Sequence, residues 1–261
     1  KVVKTLDTET GTGPNGFPAG LLSAAVQFLP ARDSSDVPPT HSGDEAESQA
    51  TPLDTLAGYW ANKELPPWFY YLTGGATLLA ANKKDRDPDS DEAPEVRPVA
   101  VGDVLRRTFE RAVWQASRKP ITSALLPQQL GVGLPSGCQK QIWIARILQE
   151  MSMLGCNGSE AFSRYSQWVF VKLDQKNAHN SYKRAAAQRA LEAIPGAENF
   201  ARTHFTTNVH APALVSHIDG QATKVCESIE GGQQGNPMVP PAYGAVLNPI
   251  LKIARVIVVC V

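Results

Sequence analysis

Residues 168–194 read WVFVKLDQKNAHNSYKRAAAQRALEAI, and the order of their chemistry decides the fold class. Trp168, Val169, Phe170 and Val171 are aromatic or β-branched, the composition of a buried strand. The run ends on Asp174. Asn180 or Ser181 then opens a helix, and Pro195-Gly196 closes it. A strand handing over to a helix predicts a mixed α+β protein. A carboxylate at the C-terminal end of a buried strand is held by the sheet and reaches into the cleft above it, which suits a divalent cation. A turn aspartate at a helix entry looks the same in sequence, so the surrounding segments have to decide.

Working outward, residues 53–62 have helical spacing and stop at Leu65-Pro66-Pro67. Residues 69–82, FYYLTGGATLLAAN, read as a strand pair around Gly74-Gly75. Val96 to Val101 is a short β-like run. Asp103 or Gly102 can cap a helix running to about Ser117. Pro135-Ser136-Gly137 precedes a second amphipathic helix, with Ile142, Ala145, Ile147, Leu148 and Met151 on its apolar face. Ala213–Ile218 and 225–229 are strand-like, residues 231–237 form a tight loop, and 243–256 form an apolar helix before a β-branched tail.

The chain has 261 residues, 43% hydrophobic and 19% charged, a globular composition that excludes wholesale disorder. No run approaches the roughly 18 apolar residues of a membrane span. The opening KVVKTLDTET lacks an apolar h-region and a small-residue cleavage site. An intracellular protein of the nucleus or cytoplasm, without a membrane partner, is therefore expected. The formal net charge is zero. Residues 31–50 and 85–95 are acidic, read as flexible loops, and their removal leaves 23 basic against 14 acidic side chains. A basic body with acidic loops suits a polyanion partner, although scattered solubilising charge gives the same count.

Several features carry little chemistry. The four cysteines, Cys138, Cys156, Cys226 and Cys260, form no CxxC pair and are expected to be reduced. His204, His210 and His217 lack the i, i+4 spacing of helical zinc ligands. Residues 11–16, GTGPNG, match a dinucleotide fingerprint, but Pro14 lies inside it and no βαβ unit follows. This stretch reads as a turn.

Residues 173–184, LDQKNAHNSYKR, resemble motif A of reverse transcriptases of the non-long-terminal-repeat retrotransposon type, roughly LDxxNAFNxxxR. Residues 95–107, EVRPVAVGDVLRR, are similar to the fingers segment of that family, and residues 127–133, PQQLGVG, to the segment that follows it. Residues 230–237, EGGQQGNP, look like motif B, and residues 13–16, GPNG, fit an early element. The blocks occur in family order across nearly the whole chain. The resemblance implies right-hand polymerase fingers over residues 1–165 and a partial palm over 166–261. It implies an RNA template, a DNA primer, deoxynucleotide triphosphates and two Mg2+ ions. Asp174 would bridge the metals and the carbonyl of Gln175 would add a ligand. Lys83, Lys84 and Arg97 would meet the triphosphate, a task that suits a guanidinium. Gln175, His179, Gln234 and Gly235 would border the incoming nucleotide. Arg106, Arg107 and Arg111 would face template phosphate.

Three departures qualify the match. His179 stands where the family carries a large aromatic that excludes the ribose 2′-hydroxyl. Asn236 replaces the acidic residue after Gln-Gly, and Pro240-Pro241 threaten the start of the next helix. The sequence contains no Asp-Asp pair, so the Tyr-x-Asp-Asp of motif C is missing. A truncated domain, inactive alone, is the expectation. A nucleic-acid-binding remnant without catalysis is the alternative.

Overall fold

The computed structural model describes Pro14, Ala19, Leu21, Leu22, residues 52–82, 96–166, Gln175 and 177–254. The strand expected at 168–173, Asp174, Lys83, Lys84, the acidic loops 31–50 and 85–95, Cys260 and the tail lie outside the described residues. The chain divides into two compact units. One comprises Lys1–Val113, Arg202–Ile229 and Gln233–Pro237, and the other Trp114–Ala201, Glu230–Gly232 and Met238–Val261. This division passes back and forth along the chain.

The first unit holds a four-stranded mixed sheet in the order β2-β1-β3-β4. Strand β1 (Ala76–Asn82) runs antiparallel to β2 (Val96–Gly102), with Ala76 opposite Gly102 and Asn82 opposite Val96. It pairs in parallel with β3 (Ala213–Ile218) through Ala76 and Thr77. Strands β3 and β4 (Gln221–Glu227) form a hairpin around Asp219-Gly220. Both turn residues have positive φ, 51° and 76°, the backbone that matches the right-handed twist of a two-residue hairpin.

Helix α1 (Pro52–Ala61) lies where the spacing predicted it. The next segment differs from expectation. Residues 69–74 belong to helix α2 (Pro67–Gly74), and only β1 of the expected strand pair exists. Pro67 sits in the first turn, where its missing N–H costs nothing. Tyr70 is then buried against Trp60, donating its hydroxyl to the Trp60 carbonyl at 3.1 Å. Trp60 meets Phe109 at 5.5 Å between ring centroids. A second small cluster joins Ala19 and Leu22 to Val104.

Helix α3 (Val104–Leu125) starts as the sequence predicted. Asp103 Oδ1 accepts the N–H groups of Leu105 at 2.9 Å and Arg106 at 3.2 Å, an N-cap bond pattern. The helix continues through Pro120, past the expected stop at Ser117.

In the second unit α4 (Gly137–Cys156) is followed by a 3-10 turn (Glu160–Tyr165). Its expected apolar face is largely uncovered: Ile142 and Ile147 are exposed, while Gln141 and Ser152 are buried. A short helix α5 (Ala178–Ser181) breaks at Tyr182, so the helix expected from residue 181 begins at Arg184, as α6 (Arg184–Glu192). Helix α7 (Glu198–Asn208), which the sequence did not reveal, crosses the division between the units. Helix α8 (Val239–Ala254) carries Pro240 and Pro241 in its first turn, where prolines are tolerated. Gln129 Nε2 donates to the Gly244 carbonyl at 2.6 Å and Asn248 Nδ2 to the Ala124 carbonyl at 2.9 Å, fastening α8 within this unit.

Candidate functional site

Candidate residues gather in two places, one in each unit. In the first unit the loop Gln233–Pro237 lies against β2. The Ala100 N–H donates to the Gln234 carbonyl at 3.3 Å, and the Asn236 N–H to the Gln233 carbonyl at 3.0 Å. Gly235 has a φ of +104° and is exposed. A side chain at that φ is strained, so glycine is the residue that suits this turn. Gln234 is half-buried beside it. Thus the expected nucleotide-facing pair, Gln234 and Gly235, is brought to the strand that carries Arg97. Arg97 is exposed on the outer part of β2, opposite Ala81.

Beneath this loop sits an ion pair. Arg106 and Glu110 are 1% and 0% exposed, with Arg106 Nε donating to Glu110 Oε1 at 2.8 Å. Arg106 Nη1 donates to the Gly74 carbonyl at 2.5 Å and reaches Gln233 Oε1 at 3.4 Å. Gln233 Nε2 donates to the same Gly74 carbonyl at 2.9 Å. This corrects the expectation for Arg106. Its guanidinium is turned into the protein by a carboxylate and a carbonyl, and a template phosphate outside cannot reach it. Arg107 is half-buried and Arg111 exposed, so these two keep access to solvent. Burial presses the Arg107 pKa down, the Asp103 carboxylate offsets this, and Arg111 adds to the depression.

In the second unit the turn between α5 and α6 is stitched to Glu230–Gly232. The Gly231 N–H donates to the Tyr182 carbonyl at 2.9 Å, and the Gly232 N–H to the His179 carbonyl at 2.8 Å. Arg184 Nε donates to the Gly231 carbonyl at 2.8 Å and Nη2 to the Glu230 carbonyl at 3.3 Å. Lys183 and Glu230 form an exposed ion pair, worth little by itself. The approach is close enough to require both glycines. A Cβ on Gly231 would lie 2.3 Å from the Asn180 carbonyl carbon, and one on Gly232 would lie 2.1 Å from Val239 Cγ2. These contacts join residues on the motif-A-like stretch to the first glycines of the motif-B-like stretch.

His179 is half-buried and edge-on to Tyr243, with ring centroids 5.6 Å apart and planes at 80°. Burial lowers its pKa. The Tyr243 hydroxyl donates to Gln175 Oε1, so Gln175 and His179 share one aromatic neighbour. Tyr243, Tyr182, Gln233 and Glu110 were not singled out from sequence. The one available signal was the i, i+4 spacing of Arg106 and Glu110.

Among the described residues no group of three or more His, Cys, Asp or Glu side chains is gathered for a metal ion. His204 is buried, His210 and His217 are exposed, and Cys138, Cys156 and Cys226 are free. Among the described residues no helix is long and apolar enough to cross a membrane. No protein-family model matches the chain, and no curated protein matches its sequence.

Proposed function

We propose that this chain is a reverse transcriptase domain of a retroelement, binding an RNA template, a DNA primer and deoxynucleotide triphosphates. One observation carries most of the weight. Arg184, at the arginine position of the motif-A-like pattern, holds the Glu230 and Gly231 carbonyls of the motif-B-like pattern 46 and 47 residues away in sequence. Two segments chosen on separate resemblances are thus neighbours. The Ala100 to Gln234 hydrogen bond adds support, since it ties the same glycine-rich stretch to the fingers-like strand.

A binding remnant without catalysis is the second reading, favoured by His179 in place of a large aromatic. The two differ in nucleotide selection. The test is the dissociation rate of a labelled primed RNA template from the 261-residue chain in Mg2+, with and without the deoxynucleotide that pairs with the next template base. The polymerase proposal expects the matching nucleotide to slow release at least about tenfold, equivalent to about 1.4 kcal/mol, while a mismatched one does not. Salt-sensitive binding without nucleotide selection supports the remnant. Absence of any binding overturns both.

A further inference from the structure

We propose that the buried Arg106–Glu110 pair is a positioning device for the Gln233–Gly235 loop, and through it for nucleotide selection. The second half of this inference rests on the polymerase proposal above; the first half does not. The pair is 1% and 0% exposed, and taking two charges out of water is costly unless further hydrogen bonds complete the geometry. Only part of that set exists, since Arg106 Nη2 and Glu110 Oε2 are buried without a partner among the described residues, and the bonds that do form lead to Gly74 and to one loop residue, Gln233. The Gly74 carbonyl receives both Arg106 Nη1 at 2.5 Å and Gln233 Nε2 at 2.9 Å, while Gln233 Oε1 faces Arg106 at 3.4 Å. An amide has one donor end and one acceptor end. Here the acceptor end faces a guanidinium and the donor end faces a carbonyl, so a flipped amide would lose both partners. Glu110 fixes the guanidinium that imposes this orientation.

The consequence passes along the backbone. Gln233 is itself held by the Asn236 N–H, and the next residue, Gln234, is pinned to β2 through Ala100. Gly235 then takes its positive φ in the open. Apolar side chains of similar volume would serve packing as well as the ion pair does, but they cannot orient an amide. The pair thus does what a core of leucines cannot: it sets which way Gln233 points.

The test uses the full chain and three variants. Arg106→Met with Glu110→Leu removes both charges at once and keeps the volume. Arg106→Lys keeps the charge but lacks the fork that serves Glu110 and Gly74 together. Gln233→Leu leaves the pair intact and removes the amide. Amide hydrogen exchange is read at Ala100 and Asn236, with the β3–β4 hairpin as an internal reference. All three variants are expected to speed exchange at Ala100 and Asn236 about tenfold and to leave the hairpin unchanged. Protection at Ala100 and Asn236 equal to that of the unaltered chain, in the folded double variant or in Gln233→Leu, overturns the positioning role. Matching-nucleotide retention of the primed template is measured in parallel. Loss of retention with unchanged affinity for the primed template supports the link to selection, and unchanged retention overturns that link. If the unaltered chain shows no retention, the polymerase proposal and the link to selection fall together, while the exchange data still decide the positioning role.

Discussion

Arg184 grips the Gly231 carbonyl at 2.8 Å, so one α6 side chain fixes the loop that a glycine must occupy. Two hydrogen bonds from one guanidinium to backbone carbonyls are worth about 1–3 kcal/mol when a charged donor is involved. Arg184→Ala is expected to destabilise the chain by about 1–2 kcal/mol. Lys183→Ala, whose partner contact is solvated, should cost under about 1 kcal/mol. Urea denaturation of the two variants checks the ordering.

The glycine on the other side of that bond makes a sharper case. Gly231 combines a φ of +56° with a Cβ position 2.3 Å from the Asn180 carbonyl carbon. Gly220, at +76°, has nothing within 4 Å. Gly220→Ala should therefore cost only left-handed strain, about 1–2 kcal/mol. Gly231→Ala adds a clash with backbone and should cost at least about 3 kcal/mol, or prevent folding. Equal melting temperatures for the two variants would contradict this geometry.

Breaking the buried pair one partner at a time differs from replacing it whole. Arg106→Ala leaves a buried carboxylate alone and should cost about 3–5 kcal/mol. Joint replacement by Met and Leu should cost much less. Denaturant midpoints of the single and double variants measure the difference.

His179 gives a pH dependence with a definite sign. Burial lowers its pKa in the folded chain from 6.5. The unfolded chain then binds the proton more readily, and stability rises with pH. The penalty is absent well above pH 6.5, grows as pH falls through that value, and is complete below the folded pKa. His179→Phe keeps a ring beside Tyr243 and removes the titration. Between pH 7 and pH 5 the unaltered chain should lose stability relative to this variant, as read by paired denaturation curves. A constant difference would remove burial of His179 as the cause.

Some of this was legible in the residues. The strand Ala213–Ile218 and the helix opening after Asp103 follow from β-branched content and a capping carboxylate. The miss at 69–74 has a physical cause. Phe69-Tyr70-Tyr71 favours a strand locally, but Pro67 starts a helix well and Tyr70 gains the Trp60 core by following it. Helix α7 was hidden by its threonines. Thr206 and Thr207 donate to the carbonyls of Arg202 and Thr203, four residues back, so poor helix formers satisfy themselves inside the helix. Of the candidate site, the motif-B-like stretch was legible, and its Gln234 meets β2 through Ala100, but nothing in an Arg–Glu pair at helical spacing distinguishes a buried pair from a solvated face.

The most direct measurement is template-directed photo-crosslinking of a deoxynucleotide triphosphate to the 261-residue chain bound to a primed RNA template. The polymerase proposal predicts labelling of the peptide that contains Gln234 and Gly235, with the yield falling at least about tenfold when the next template base does not pair with the nucleotide. Labelling that ignores the template base, or that leaves this peptide untouched, would contradict it.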